Sequence, residues 1–314
     1  MRTIALAITA LGPTTAFAMA QDKVQITYSG MVSVERLSYG GYSETWAHST
    51  GDVGLRWPTS SGAKIGVNLG VETFHSLDYD YGLDGLTAYY AAAVLENRFG
   101  KISVGMPHGV MGDYFTVPAI GGTYLSQLTT NYGGPDFLRY VKLLLGQDYV
   151  EMTGVRYDGK IGQIDIGASV NKFNGYSANL KEVVAHYARQ DWSVSLGASF
   201  FDQGDYVSHS TNLEVQGRKG KMSGGIILTK SDDYFLEPDS TLAFVSYHIN
   251  DQIKLNAQVT RFEEMKSEAQ TIYAIDLSYT HPSGGFISAG VFNDIWGNAD
   301  NDTHIVDVAV GYKF

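Results

Sequence analysis

Eight histidines and 33 aspartates and glutamates are the groups with which this chain could do chemistry. They are not set out for catalysis. The histidines scatter over unrelated segments, and His75 beside Asp78 and Asp80 is the nearest approach to an acid–base dyad. No Gly-x-Ser-x-Gly run offers a nucleophile elbow, no cysteine is present, and no spacing matches a metal-ligand motif. An enzyme is therefore not expected. What remains is charge distributed over strands and loops, where chemistry is limited to attracting and releasing ions by weak electrostatics.

The elements that carry those charges are short and regular. Segments of about ten residues alternate apolar and polar side chains, the signature of strands with two unlike faces. Ala63, Ile65, Val67, Leu69 and Val71 share one face against Lys64, Gly66, Asn68 and Gly70. Tyr273, Ile275, Leu277 and Tyr279 oppose Ala274, Asp276 and Ser278. Tight turns at Pro58–Gly62, Arg98–Gly100, Asp158–Lys160, Arg189–Asp191, Gly217–Gly220, Asn250–Asp251 and His281–Gly285 alternate with longer connections. The latter fall at Leu37–Thr45, Ser76–Gly85, Pro107–Asp148, Phe173–Asn179, Asp202–Ser210, Ser231–Ser240, Glu263–Gln270 and Asp294–Thr303. This predicts about sixteen antiparallel strands with both termini on the tight-turn side.

The polar parity is too wet for a dry core, since Lys64, Asn68, Lys254 and Asp276 lie on it. A soluble lectin-like sandwich is disfavoured on that ground. The arrangement that fits is inverted, apolar outside and polar inside, and closed so that no sheet edge meets lipid. Strands in that number leave an aqueous channel. Tyr157, Trp192, Tyr247, Tyr279, Tyr312 and Phe314 end apolar faces, as interfacial girdles do. The last strand, HIVDVAVGYKF, would face lipid with Val306, Val308, Val310 and Tyr312 and anchor at Phe314.

The ends and the composition agree. Arg2, the apolar Ile4–Leu11 run and Ala18-Met19-Ala20 read as a signal peptide over residues 1–20, with a cut after Ala18 as the alternative. Removing it, with Arg2, takes the formal charge from −11 to about −12, which disfavours nucleic acid as a partner. The longest apolar run beyond it, Ala88–Leu95, is too short to cross a membrane as a helix. A single barrel domain over residues 21–314 is expected, its Gln21 amine meeting the Phe314 carboxylate as an ion pair.

One connection is out of scale. Pro107–Asp148 is far longer than its counterparts and carries Tyr114, Phe115, Val117, Ile120, Tyr124 and Leu125, too apolar for a solvated surface loop. Its carboxylates are Asp113, Asp136 and Asp148. Basic residues on the polar parity are Arg56, Lys64, Arg156 and Lys254, with Arg36 near the end of the first strand.

The leader, the ENRFGKISVG stretch (Glu96–Gly105), the long connection after it and the terminal GYKF together resemble a Gram-negative general porin, nearest to the sixteen-stranded porins of alphaproteobacteria. The resemblance implies an outer-membrane β-barrel whose third loop folds inward. There, carboxylates of the loop would face a basic cluster on the wall and set a transverse field. It implies passive diffusion of ions and small hydrophilic solutes, a homotrimer among outer-membrane lipid and lipopolysaccharide, and a terminal strand read by the assembly machinery. The acidic balance suggests mild cation preference. A substrate-specific channel for a sugar or small organic acid is the alternative, with Tyr114, Phe115, Tyr124 and Tyr132 as the stacking surface. No cofactor is implied. The acidic loops (Asp78, Asp80, Asp232, Asp233, Glu237, Asp239, Glu263, Glu264, Asp300, Asp302) have an oxygen-rich character that suits Ca²⁺, but none has the spacing of a dedicated calcium loop.

Overall fold

A computed structural model describes residues 24–78, 86–115, 117–121, 152–174, 177–204, 206–232, 239–262, 269–293 and 304–314. The described residues form sixteen strands and one short helix. The strands, β1 (Gln25–Tyr39), β2 (Tyr42–Pro58), β3 (Lys64–Ser76), β4 (Leu86–Asn97), β5 (Gly100–Met106), β6 (Met152–Ile161), β7 (Ile164–Phe173) and β8 (Ala178–Ala188), make one half of the ring. The other half is β9 (Trp192–Gln203), β10 (Tyr206–Lys219), β11 (Met222–Ser231), β12 (Ser240–His248), β13 (Ile253–Phe262), β14 (Gln270–Thr280), β15 (Gly285–Asn293) and β16 (His304–Lys313). Each strand pairs antiparallel with its sequence neighbours, and β16 returns to β1 to close the barrel.

Closure is what the alternating sequence requires. Outward residues are apolar and exposed: Ile65, Leu69, Leu196, Ile226, Ile275, Ile287 and Val310 are all about half exposed. Inward residues include Glu35, Glu72, Glu182, Asn212, Glu214, Asn256, Asp276 and Asp307, all buried. Lipid offers no partner to backbone N–H and C=O groups, so a spanning sheet has to pair every edge with itself. The outward aromatics Trp57, Phe99, Trp192, Tyr247, Tyr279 and Tyr312 gather at the tight-turn end, where an interfacial belt is expected.

Several details depart from the sequence reading. The tight turn expected at Asp158–Lys160 lies within β6, and the chain reverses after Ile161 at Gly162, whose φ is 62°. The connection expected over Asp202–Ser210 is mostly strand, since Gln203 of β9 pairs with Tyr206 of β10. The first connection, expected over Leu37–Thr45, is a two-residue turn, because Tyr39 and Tyr42 pair directly. Gly40 and Gly41 make it possible, both with positive φ (52° and 86°), the geometry of the tightest hairpin turns. At the other end Phe314 exchanges two backbone hydrogen bonds of 3.0 Å with Gly30, so the Gln25–Ser29 stretch runs on past the end of β16. The ion pair expected between Gln21 and Phe314 falls on Gln21, which lies outside the described residues.

The seam has little room. A Cβ at Gly30 would stand 2.5 Å from the Phe314 ring and 2.6 Å from the Thr50 carbonyl oxygen. Nothing lies within 4 Å of one at Gly51 on the neighbouring strand. Gly30→Ala is expected to lower the temperature at which the folded band is lost on heat-modifiability gels, by an overpacking cost of about 1–3 kcal/mol. Gly285→Ala, where likewise nothing lies within 4 Å of a built Cβ, should leave that temperature where it is.

Candidate functional site

The long connection leaves β5 at Met106, and its first described residues, 107–115 and 117–121, lie against inward-facing side chains of the barrel. It carries α1 (Met111–Tyr114). Val110, the residue before it, has helical backbone angles and no side-chain cap of its own. Its N–H is instead taken by Glu182 of β8 at 3.0 Å, and Ser169 holds the same carboxylate oxygen at 2.7 Å. The wall thus supplies the cap that the loop sequence lacks.

Arg156 on β6 fastens the root of the loop. Its guanidinium donates to the carbonyl oxygens of Gly109 (2.8 Å) and His108 (3.4 Å) and to the Asp113 carboxylate. The same group forks onto Asp158, with Nε at 3.0 Å from both oxygens and Nη2 at 2.6 Å from one. Lys101 on β5 adds a contact to Asp158 at 3.1 Å. The guanidinium is buried, yet its N–H fork is filled by oxygens, which is the condition under which a buried cation is tolerated. The Asp113 side chain remains 58% exposed. Across the root, His108 lies 2.9 Å from Asp52 of β2 and stacks on Tyr90 of β4 with ring centroids 3.6 Å apart. Thr50, Asp52, Glu72, Tyr90, His108 and Asp113 line a cavity of 230 Å³ beside them.

Apolar contacts carry the loop across the interior. Val110, Met111 and Phe115 pack with Val184, Ile227, Leu242 and Phe244 of β8, β11 and β12. Met111 sits so close to Gly197 that a Cβ there would be 2.5 Å from its sulfur. The Tyr114 carbonyl oxygen accepts from Ser195 of β9 at 2.9 Å. Burial, with Asp158 nearby, pushes the Tyr114 phenol above its ordinary pKa, so it stays a neutral hydroxyl. Further on, Ile120 is fully buried among Leu37, Phe262, Ile272, Phe292 and Ile305, on the strands around the closure. The described loop therefore reaches from β6 to the β13–β1 side of the ring.

The residues singled out in the sequence divide accordingly. Asp113 and Arg156 meet. Tyr114 is half-buried, and Phe115 is buried in packing and offers no stacking face. Arg56 and Lys64 point inward but share Glu96 (3.7 and 3.2 Å) at the tight-turn end of β2–β4, with Arg56 also donating to Asn68 at 2.8 Å. Lys254 points inward at the tight-turn end of β13, beside Asp276 and Lys313. Arg36 is a correction. It pairs with Val308 on the outward parity, and its guanidinium bonds Ser43 (2.6 Å) and Thr45 (3.1 Å) across the first hairpin, away from the lumen. Tyr312 and Phe314 are outward and about half exposed. Asp136, Asp148, Tyr124 and Tyr132 lie outside the described residues.

Asp52, Lys101, His108, Asp158 and Glu182 were missed. Asp52, Lys101, Asp158 and Glu182 sit on the inward parity of their strands, the one signal available, but inward charges are common here and only the register selects among them. His75, the centre of the nearest dyad, is outward, and Asp80 is outside the described residues. Asp232 accepts from the His209 backbone N–H (2.5 Å) and ring (2.7 Å), and Asp239 pairs with Lys230. Among the described residues no group of three or more His, Asp or Glu is placed to hold a metal.

Solved structures with this architecture include mutants of Rhodopseudomonas blastica porin. Two of them align at TM-score 0.63 with 13% and 12% identity, each over 92% of this chain and 100% of theirs. Another, also at 0.63, is 14% identical over the same shares. These likenesses speak to the fold. No curated protein matches the sequence. The family model for Gram-negative porins matches residues 5–314, the whole barrel with the loop root moored inside it, and the chain belongs to that family, an outer-membrane channel of multi-pass β-barrel form.

Proposed function

We propose that the protein is a weakly cation-preferring general porin, passing ions and small hydrophilic solutes down their gradients. Asp113 is the acidic element of its narrowest section. What supports this is the mooring of residues 107–115 along the inner wall, which leaves the Asp113 carboxylate exposed while Arg156, its partner, is buried. A buried cation compensated by Asp158 as well as Asp113 contributes little positive field to the lumen. The exposed carboxylates Asp113 and Asp52 face it instead. Binding of a passing ion stays weak because water screens the exposed pair.

The assembly reading is a homotrimer of mature chains starting at Gln21, in contact through β2–β4. Ala47, Ser49, Gly51, Thr73, Ala91 and Ala93 are small or polar on the outward parity there, and Ser49 bonds Thr73 at 2.7 Å. Small residues let two backbones approach, and here they lie among the exposed Leu69, Val71 and Tyr89 of the same strands, which would fill the contact between them. The terminal Tyr312 and Phe314 are the segment for the assembly machinery. A channel specific for a sugar or acid has less support, since Phe115 is used up in packing.

Two outcomes follow. Asp113→Asn should lower the cation-to-anion permeability ratio, read from the reversal potential in a salt gradient across a planar bilayer, by about two- to fivefold; an unmoved reversal potential would remove Asp113 from the selective section. Arg156→Gln leaves Asp158 with Lys101 alone and the Gly109 carbonyl without its donor, at a cost of about 3–5 kcal/mol. It is expected to make single-channel current noisier and the folded band less heat-resistant, whereas Arg36→Gln on the outer face should do neither.

A further inference from the structure

Near the tight turns the inner wall carries cations on both sides of the ring. On β2–β7 carboxylates meet them: Arg56 and Lys64 share Glu96, Lys101 meets Asp158, and Lys160 meets Asp165 at 3.1 Å. The β12–β16 sector breaks that pattern. Neither Lys254 of β13 nor Lys313 of β16 has an ion pair among the described residues. On a chain with net charge −11 this is a local reversal of sign.

The terminal Gly-Tyr-Lys-Phe explains how the two come together. A Cβ at Gly311 would stand 2.6 Å from the Phe286 ring, so glycine there lets that inward ring lie against the wall. Tyr312 is outward, which turns Lys313 inward, and its ammonium sits 4.9 Å from the centroid of the same ring. Lys254 stands near enough to feel its charge, with His248 of β12 as register partner. The two acids that could have compensated them are engaged elsewhere. The terminal carboxylate beside Lys313 accepts from the Gly30 N–H at 3.0 Å. Asp276, further up the wall, is buried and accepts from Asn256 and Ser288.

We infer that Lys254 and Lys313 form a binding station for a small oxyanion of two or more negative charges, at the tight-turn mouth of the lumen. Two neighbouring ammonium groups repel each other. A multivalent anion between them removes that repulsion and supplies acceptors for their N–H donors, with the His248 ring as a further donor. Lysine acts as a hydrated point charge, so charge rather than planar shape selects the ligand, and phosphates and polycarboxylates are both admitted. Exposure of Lys313 keeps the hold weak, as transit requires. The inference rests on the water-filled lumen of the reading above and not on its cation preference.

The test is calorimetric titration of the full chain, folded in non-ionic detergent at low salt, with pyrophosphate and separately with citrate. Binding is expected, about fivefold weaker in Lys254→Gln and in Lys313→Gln and weaker as salt is raised. Lys219→Gln, the same charge change on the outward parity of β10, should bind like wild type. Binding of either anion supports the station, and the tighter of the two names the class of solute it serves. Failure of both to bind wild type would overturn it, as would equal binding by wild type and the Lys254→Gln, Lys313→Gln double variant. Should the change at Lys313, so near the terminus, prevent folding, Lys254→Gln alone carries the comparison. All folded variants should conduct in planar bilayers. Folded wild type that binds pyrophosphate without conducting would count against the pore and leave the station standing.

Discussion

Every backbone N–H and C=O that crosses the membrane has to find its partner inside the chain, and the β1–β16 pairing is where that requirement is met last. An open sheet would present lipid with a row of unpaired groups costing several kcal/mol each. Once the ring is shut, the period-two alternation of strands has only one consistent assignment. Val306, Val308 and Val310 face lipid, and Asp307 and Ala309 face in. The polar interior is thus a product of closure. It is also what allows a loop to be fastened within by hydrogen bonds.

The fastening shows how a wet interior and a stable one coexist. Burying a guanidinium is costly unless its donors are filled, and Arg156 meets that condition with Asp158, Asp113 and two carbonyls of the loop it holds. The loop gains a fixed root, and the arginine gains compensation. Apolar contacts at Met111, Phe115 and Ile120 then carry the loop over the wall without further charge. One consequence is that the arginine pairing is made on one wall. Arg156 stands on β6, next to the strand from which the loop departs, and the basic residues Arg56 and Lys64 of β2 and β3 are occupied by Glu96 near the tight turns.

Strand number, parity and the odd loop were legible because each is a local property of the chain. Alternation in β3, β9, β13 and β14 was strong enough to assign inside and outside correctly for Lys64, Asn68, Lys254 and Asp276. What failed needed register or torsion. Gly40-Gly41 was read as part of a longer loop, because two strands may run on to any turn that tolerates positive φ. Arg36 was assigned inward although it sits at even spacing from Val34, which faces lipid. Asp113 and Arg156 were each visible as charges, but their contact joins residues far apart in sequence. Lys101 and Asp158, the rest of the cluster, had no local feature to separate them from other inward charges.

The account turns on water filling the space that closure creates, with the loop narrowing it. Single-channel recording of the purified, heat-modifiable protein in a planar bilayer tests this most directly. Stepwise, ohmic openings whose conductance grows in proportion to salt concentration are the predicted result. Correctly folded protein that inserts and passes no current would contradict it.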